Sequence, residues 1–221
     1  MNVAARRTQV IKSVEGNPWL SIWTEPRKTI RLIINANPKF GFLILSAVYG
    51  LPVALDLAQS LAVSANIPIW AILIGSLVIC TFIGVIGISI SAWLLQLTGR
   101  WIGGQGNFQT VRAAVTWSNV PNIATILMWL VLFGVFGGQV LNKEFSETQF
   151  VGYHAGILFL VMLIETIVSI WGFVILINAL AEVQKFSIWR ALLNVVIPFV
   201  AVAAIIWVAG WVLWGTGAIH N

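Results

Sequence analysis

Between Ile67 and Leu97 the chain carries no Asp, Glu, Lys or Arg for 31 residues. At 1.5 Å rise per residue, a helix over this run outreaches a hydrocarbon core about 30 Å thick. It is expected to tilt, kink or project beyond the bilayer. Four further runs, Phe40–Val63, Val120–Leu141, Val151–Leu180 and Leu192–Trp214, each reach the length of about 20 residues that a spanning helix requires. None alternates apolar and polar residues as a barrel strand does. Only 9% of the residues are charged and 59% are hydrophobic, against about 25% charged in a soluble domain. The expected fold is therefore all-α: an integral membrane bundle of five transmembrane helices with an N-terminal cytosolic amphipathic helix. Residues 1–16 form a cytosolic tail, 17–38 an amphipathic interfacial segment and 39–221 the five-span membrane domain.

The basic residues orient the bundle. Arg6, Arg7, Lys12, Arg27, Lys28, Arg31 and Lys39 precede the first span, Arg100 and Arg112 follow the second, and Lys185 and Arg190 follow the fourth. The opposite side receives only Lys143. The positive-inside rule then places the N-terminus in the cytoplasm and the C-terminus outside. The tail "MNVAARRTQVIKSVEG" has no apolar stretch, so no cleavable signal peptide is expected. The net charge of +5 reads as topology and contact with anionic lipid, not as a nucleic-acid surface. Cys80 stands alone, which leaves neither a disulfide framework nor a cysteine metal motif.

Small residues recur within the spans: Gly134 with Gly138, Gly152 with Gly156, and the looser set Gly84, Gly87 and Ser91. Such positions let helices approach closely in lipid, either inside one bundle or across a homo-oligomer face. Trp70, Trp101, Trp117, Trp189 and Trp214 lie near span ends and read as interfacial anchors.

Ahead of the first span lies "NPWLSIWTEPRKTIRLIINANPKFG". Trp19, Ile22, Trp23, Pro26, Ile30, Ile33 and Ile34 recur at three and four residues and form one apolar face. Arg27, Arg31 and Asn35 make a polar row beside Lys28. Proline opens a helix more readily than it continues one. The spacing thus predicts a turn around Trp19–Trp23 and a helix from about Pro26 to Asn35. Its apolar face has two settings: the lipid interface, anchored by Trp19 and Trp23 with the arginines at the headgroups, or the cytosolic ends of the spans.

Two carboxylates fall inside apolar runs, Asp56 and Glu165, with no Lys or Arg inside any span. They are candidates for an ion or proton relay, or are protonated packing groups. His154 lies eleven residues before Glu165 on the same helical face, and Pro52 precedes Asp56 by one turn, so the three side chains are expected to line one outward-facing cavity. No metal or cofactor is expected, because no short-spaced ligand pair accompanies His154. "GRWIGGQGNF" sets Gly99, Gly103, Gly104 and Gly106 beside Arg100, with Arg112 following. It reads either as a nest for lipid phosphate or as a turn into a helix opened near Asn107. Its spacing matches neither nucleotide-binding glycine motif, and no catalytic constellation is present. The expected activity is non-enzymatic.

Three stretches together carry a resemblance: "NPWLSIWTEPRKTIR", "GGQGNFQTVRAAVTWSNVPNI" and "ALAEVQKFSIWRALLNVVIP". The last matches through Ala179, Leu180, Ser187, Trp189, Arg190, Ala191 and Pro198. In order and spacing they resemble the Yip domain family of Ypt/Rab-interacting membrane proteins, in its bacterial branch. The resemblance implies a five-span bundle with a cytosolic N-terminus, here in a bacterial cytoplasmic membrane; eukaryotic members bind prenylated Rab-type GTPases. The expected function is the organisation of membrane or partner proteins, with lipid contacts at Arg27, Lys28, Arg31, Arg100 and Arg112. The alternative is a small transporter or channel for protons, cations or lipid using Asp56, Glu165 and His154.

Overall fold

The computed structural model describes residues 17–148 and 150–215, the side chains of 146, 147 and 212–215 excepted; Arg6, Arg7, Lys12 and the Trp214 side chain lie outside this set. Among the described residues eight α-helices follow one another: α1 Pro18–Thr24, α2 Pro26–Ala36, α3 Phe42–Ser60, α4 Ile69–Trp101, α5 Phe108–Trp117, α6 Asn122–Phe136, α7 Tyr153–Gln184 and α8 Ile188–Gly215. No strand occurs among the described residues. Among the described residues, five segments are long and apolar enough to cross a membrane: α3, α4, α6 extended to Leu141, α7 and α8.

Helix ends follow local chemistry. Asn17 caps α1 by accepting from the Trp19 amide at 3.1 Å, and Asn107 caps α5 through the Thr110 amide at 3.0 Å. Proline occupies the first position of both α1 and α2, where its missing N–H costs nothing. α4 continues past its apolar run through Thr98, Gly99 and Arg100, and α7 runs to Gln184, so both project beyond the expected spans. α6 stops early because Gly137 adopts φ 60°, a conformation that ends a helix and suits glycine; the run finishes as a 3-10 turn, Gly137–Leu141.

α3 and α4 pack most intimately. A Cβ on Gly50 would collide with the carbonyl oxygen of Cys80, and one on Gly84 with that of Ser46. Gly87 receives the Tyr49 ring. These small residues therefore serve contact within the bundle, whereas Gly134, Gly152 and Gly156 have no atom within 4 Å of where a Cβ would stand.

Buried residues gather at the two ends. At the end carrying α1, α2 and α5, hereafter the basic end, Ile22, Ile30, Leu45, Ile88, Trp117 and Leu180 belong to one cluster. At the other, Leu55, Ile72, Trp129, Phe136 and Leu141 form a second. There Gln59 donates to the Val140 carbonyl (2.6 Å) and Ser64 to that of Leu141 (3.0 Å), pinning the turn after α6 onto α3 and the 3-10 turn that follows it. Between the ends, Val78, Phe82, Phe159 and Phe199 are exposed, a belt suited to lipid. Beyond Pro198, every described side chain of α8 is exposed.

Candidate functional site

The basic end is a constructed layer. α2 lies across α5 and α7, its apolar face closed by Ile30 and Ile33 at 0% and 2% exposure. Of the two settings open to that face, the structure has the bundle. The polar row explains the register. Arg27 and Arg31 are four apart on α2, Asn178 and Glu182 four apart on α7, so each pair shares a helix face. Arg27 Nε donates to Asn178 Oδ1 at 3.1 Å. Arg31 grips Glu182 with Nε and Nη2 at 2.8 and 2.9 Å, the two-pronged geometry that planar guanidinium and carboxylate favour. Lys185 adds a third contact to Glu182 at 3.0 Å.

Glu182 is 7% exposed, while both cations keep one side in solvent. The hydrogen bonds that Arg31 donates to the Glu182 carboxylate raise the Arg31 pKa above its ordinary value, so Arg31 stays cationic. With Glu182→Gln, one anion is lost beneath two cations, and α2 should loosen. Limited trypsin digestion is expected to cut after Arg27 and Arg31 several times faster than in the wild type. An unchanged digestion rate would mean that apolar burial alone holds α2.

Trp117, expected at the interface, is instead 0% exposed. Its indole Nε1 donates to the Phe40 carbonyl at 3.1 Å, and its ring lies 5.1 Å from Trp19 and 5.8 Å from Phe40. The buried N–H is satisfied, which makes a core tryptophan tolerable. Trp70, Trp101 and Trp189 are exposed. Trp19 and Trp23 are half-buried and pack on the basic-end cluster.

The glycine-rich loop holds an amide. Gln184, 0% exposed, accepts from the Gly106 N–H at 3.0 Å and donates to the Leu95 carbonyl at 3.2 Å. Side chains on Gly99, Gly104 or Gly106 would run into this amide. The nearby cations differ in their partners. Gln96, with its amide turned so that oxygen faces them, accepts from Arg100 at 2.8 Å and from the Phe108 amide at 3.3 Å. The Arg112 guanidinium lies over the rings of Phe42 and Phe108, 4.3 and 5.4 Å from their centroids. Lys28 pairs with Glu25 at the surface, 3.1 Å away.

Asp56 is exposed on α3 and Glu165 half-buried on α7. His154 stands apart: eleven residues of α7 separate it from Glu165 by about 16 Å of rise. Its ring sits 5.3 Å from Phe136 and 3.8 Å from Tyr153. Among the described residues, no group of three His, Cys, Asp or Glu side chains is placed to hold a metal ion. A cavity of about 430 Å³ opens between α3, α4, α5, α7 and α8, and neither acid lines it. Asn178 had no motif to single it out, and Glu182 and Gln184, although within the stretch "ALAEVQKFSIWRALLNVVIP", were not among its matched residues. Their faint signal was position, as polar residues where an apolar run ends, with arginines at matching spacing on another helix.

The Yip1 domain family model matches residues 20–210 of the chain. Comparison with curated proteins and with solved structures gives no match.

Proposed function

The chain belongs to the Yip1 domain family, and from that premise we propose that it is a non-enzymatic membrane organiser whose cytosolic face meets lipid and partner proteins. The observation that carries this reading is the clamp of Arg27 and Arg31 on Asn178 and Glu182. It presets a layer of helices across the bundle end and leaves Leu20 and Trp189 exposed at 70% and 76%. In this reading the basic end faces the cytoplasm of a bacterial cell and the C-terminus lies outside, as the distribution of Lys and Arg favours. Arg100 and Arg112 contact lipid phosphate, while Gly134 and Gly156, open to a neighbour, offer a face for a second copy.

The presence of two carboxylates, Asp56 and Glu165, inside apolar spans favours a second reading, transport. One experiment separates them. Wild type and Glu165→Gln are reconstituted in liposomes, and proton, cation and lipid flux is measured. Both are expected to match empty liposomes. Strong wild-type flux that vanishes in Glu165→Gln would replace the organiser with a transporter.

A further inference from the structure

The cavity of about 430 Å³ is walled by Tyr49 of α3, Ser91 and Leu94 of α4, Asn119 in the turn after α5, and Val195 and Pro198 of α8. Ser91 precedes the end of α4 by ten residues and Pro198 follows the start of α8 by ten. Each therefore lies about 15 Å inside the basic end, at a depth where the surrounding solvent is acyl chain.

Two polar groups on its wall are satisfied internally. Ser118 donates to the Val115 carbonyl at 2.8 Å, and Asn119 to the same carbonyl at 2.7 Å. The hydroxyls of Tyr49 and Ser91 have no hydrogen-bond partner among the described residues. A hydroxyl in hydrocarbon without an acceptor is costly. The complementary occupant is an apolar body bearing an acceptor oxygen at that depth, as an acyl ester does.

The charges above the cavity select the headgroup. Arg112 shares one α5 face with Val115, and Phe42, under its guanidinium, shares one α3 face with Tyr49. Arg190 lies in the first turn of α8, at the basic end, and is exposed. Neither arginine has a carboxylate partner among the described residues.

We propose that this groove holds an anionic glycerophospholipid of the leaflet at the basic end, with an acyl chain between α4 and α8, its ester near Tyr49 and Ser91, and its phosphate toward Arg112 and Arg190. The inference rests on the lipid-contacting part of the organiser reading. It is tested with the full chain in phosphatidylcholine liposomes containing phosphatidylglycerol that carries a diazirine on one acyl chain. Adducts formed on illumination are mapped by mass spectrometry and compared with those of an equivalent phosphatidylcholine probe.

Adducts are expected to concentrate on Leu94, Val195 and Val202. Combining Tyr49→Phe with Ser91→Ala should lower their yield about threefold, the effect of one modest hydrogen bond. Arg112→Gln and Arg190→Gln should each reduce the preference for phosphatidylglycerol about fivefold. Arg190 is at the surface, so its variant remains informative if the Arg112 variant fails to fold. Adducts spread evenly over Phe82, Phe159 and Ile205, or equal labelling by the two probes, would overturn the proposal. Either result leaves the organiser reading standing, whereas lipid flux in the reconstitution above would remove that reading and leave the groove.

Discussion

Gly50→Leu is expected to cost on the order of 3 kcal/mol and to strip most of the folded protein from a detergent extract. The obstacle is the carbonyl oxygen of Cys80, backbone of a helix, with the backbone nitrogen of Gly84 close by. A flexible side chain could swing aside; a helix backbone must translate, and α4 is held along its length by α3, α5 and α8. Gly134→Leu supplies the control. It adds the same atoms at a position with no neighbour within 4 Å and should fall within about 0.5 kcal/mol of wild type. The fraction surviving a heat step, read by gel filtration, compares them. Equal survival would show that the α3–α4 contact is not what limits stability.

Gln184→Leu should destabilise by about 2 kcal/mol, because the Gly106 N–H is left buried without an acceptor. The glycine loop gives a sharper version of this test. In Gly104→Ala the new methyl meets the Gln184 amide and the Phe186 ring, so this substitution alone should also destabilise. Shortening the side chain with Gln184→Ala makes room for part of that methyl. The double variant should then be less damaged than the sum of the singles, as coupled neighbours are. Strict additivity in thermal survival would mean that the loop and Gln184 act independently.

These two contacts show where reading residues in order stops being informative. Gly99, Gly104 and Gly106 could be read as an anion cradle, because glycines beside arginines have that form, or as a turn into the helix that Asn107 does open. The structure fills the cradle with an amide from the end of α7, and Gly106 and Gln184 are 78 positions apart. Gly84 was legible as a small packing residue, but nothing local said that Gly50 would be its counterpart. Trp117 followed the same pattern. Its place near a span end pointed to the interface, yet Trp19 and Phe40 enclose it.

The number of spans, the helical class and the amphipathic helix from Pro26 were present in the sequence alone. Each depends on properties local to the chain: the length of an apolar run against bilayer thickness, the need to satisfy backbone groups within a helix in lipid, and the periodicity of one face. The tertiary structure decided what those faces meet. Arg27 and Asn178 lie 151 positions apart, and Arg31 and Glu182 the same. Whether an arginine row meets phosphate or a carboxylate depends on which side chain the fold brings within hydrogen-bond reach. That choice was made by the packing of α2 against α7, because short-range interactions between distant residues exist only once the chain has folded.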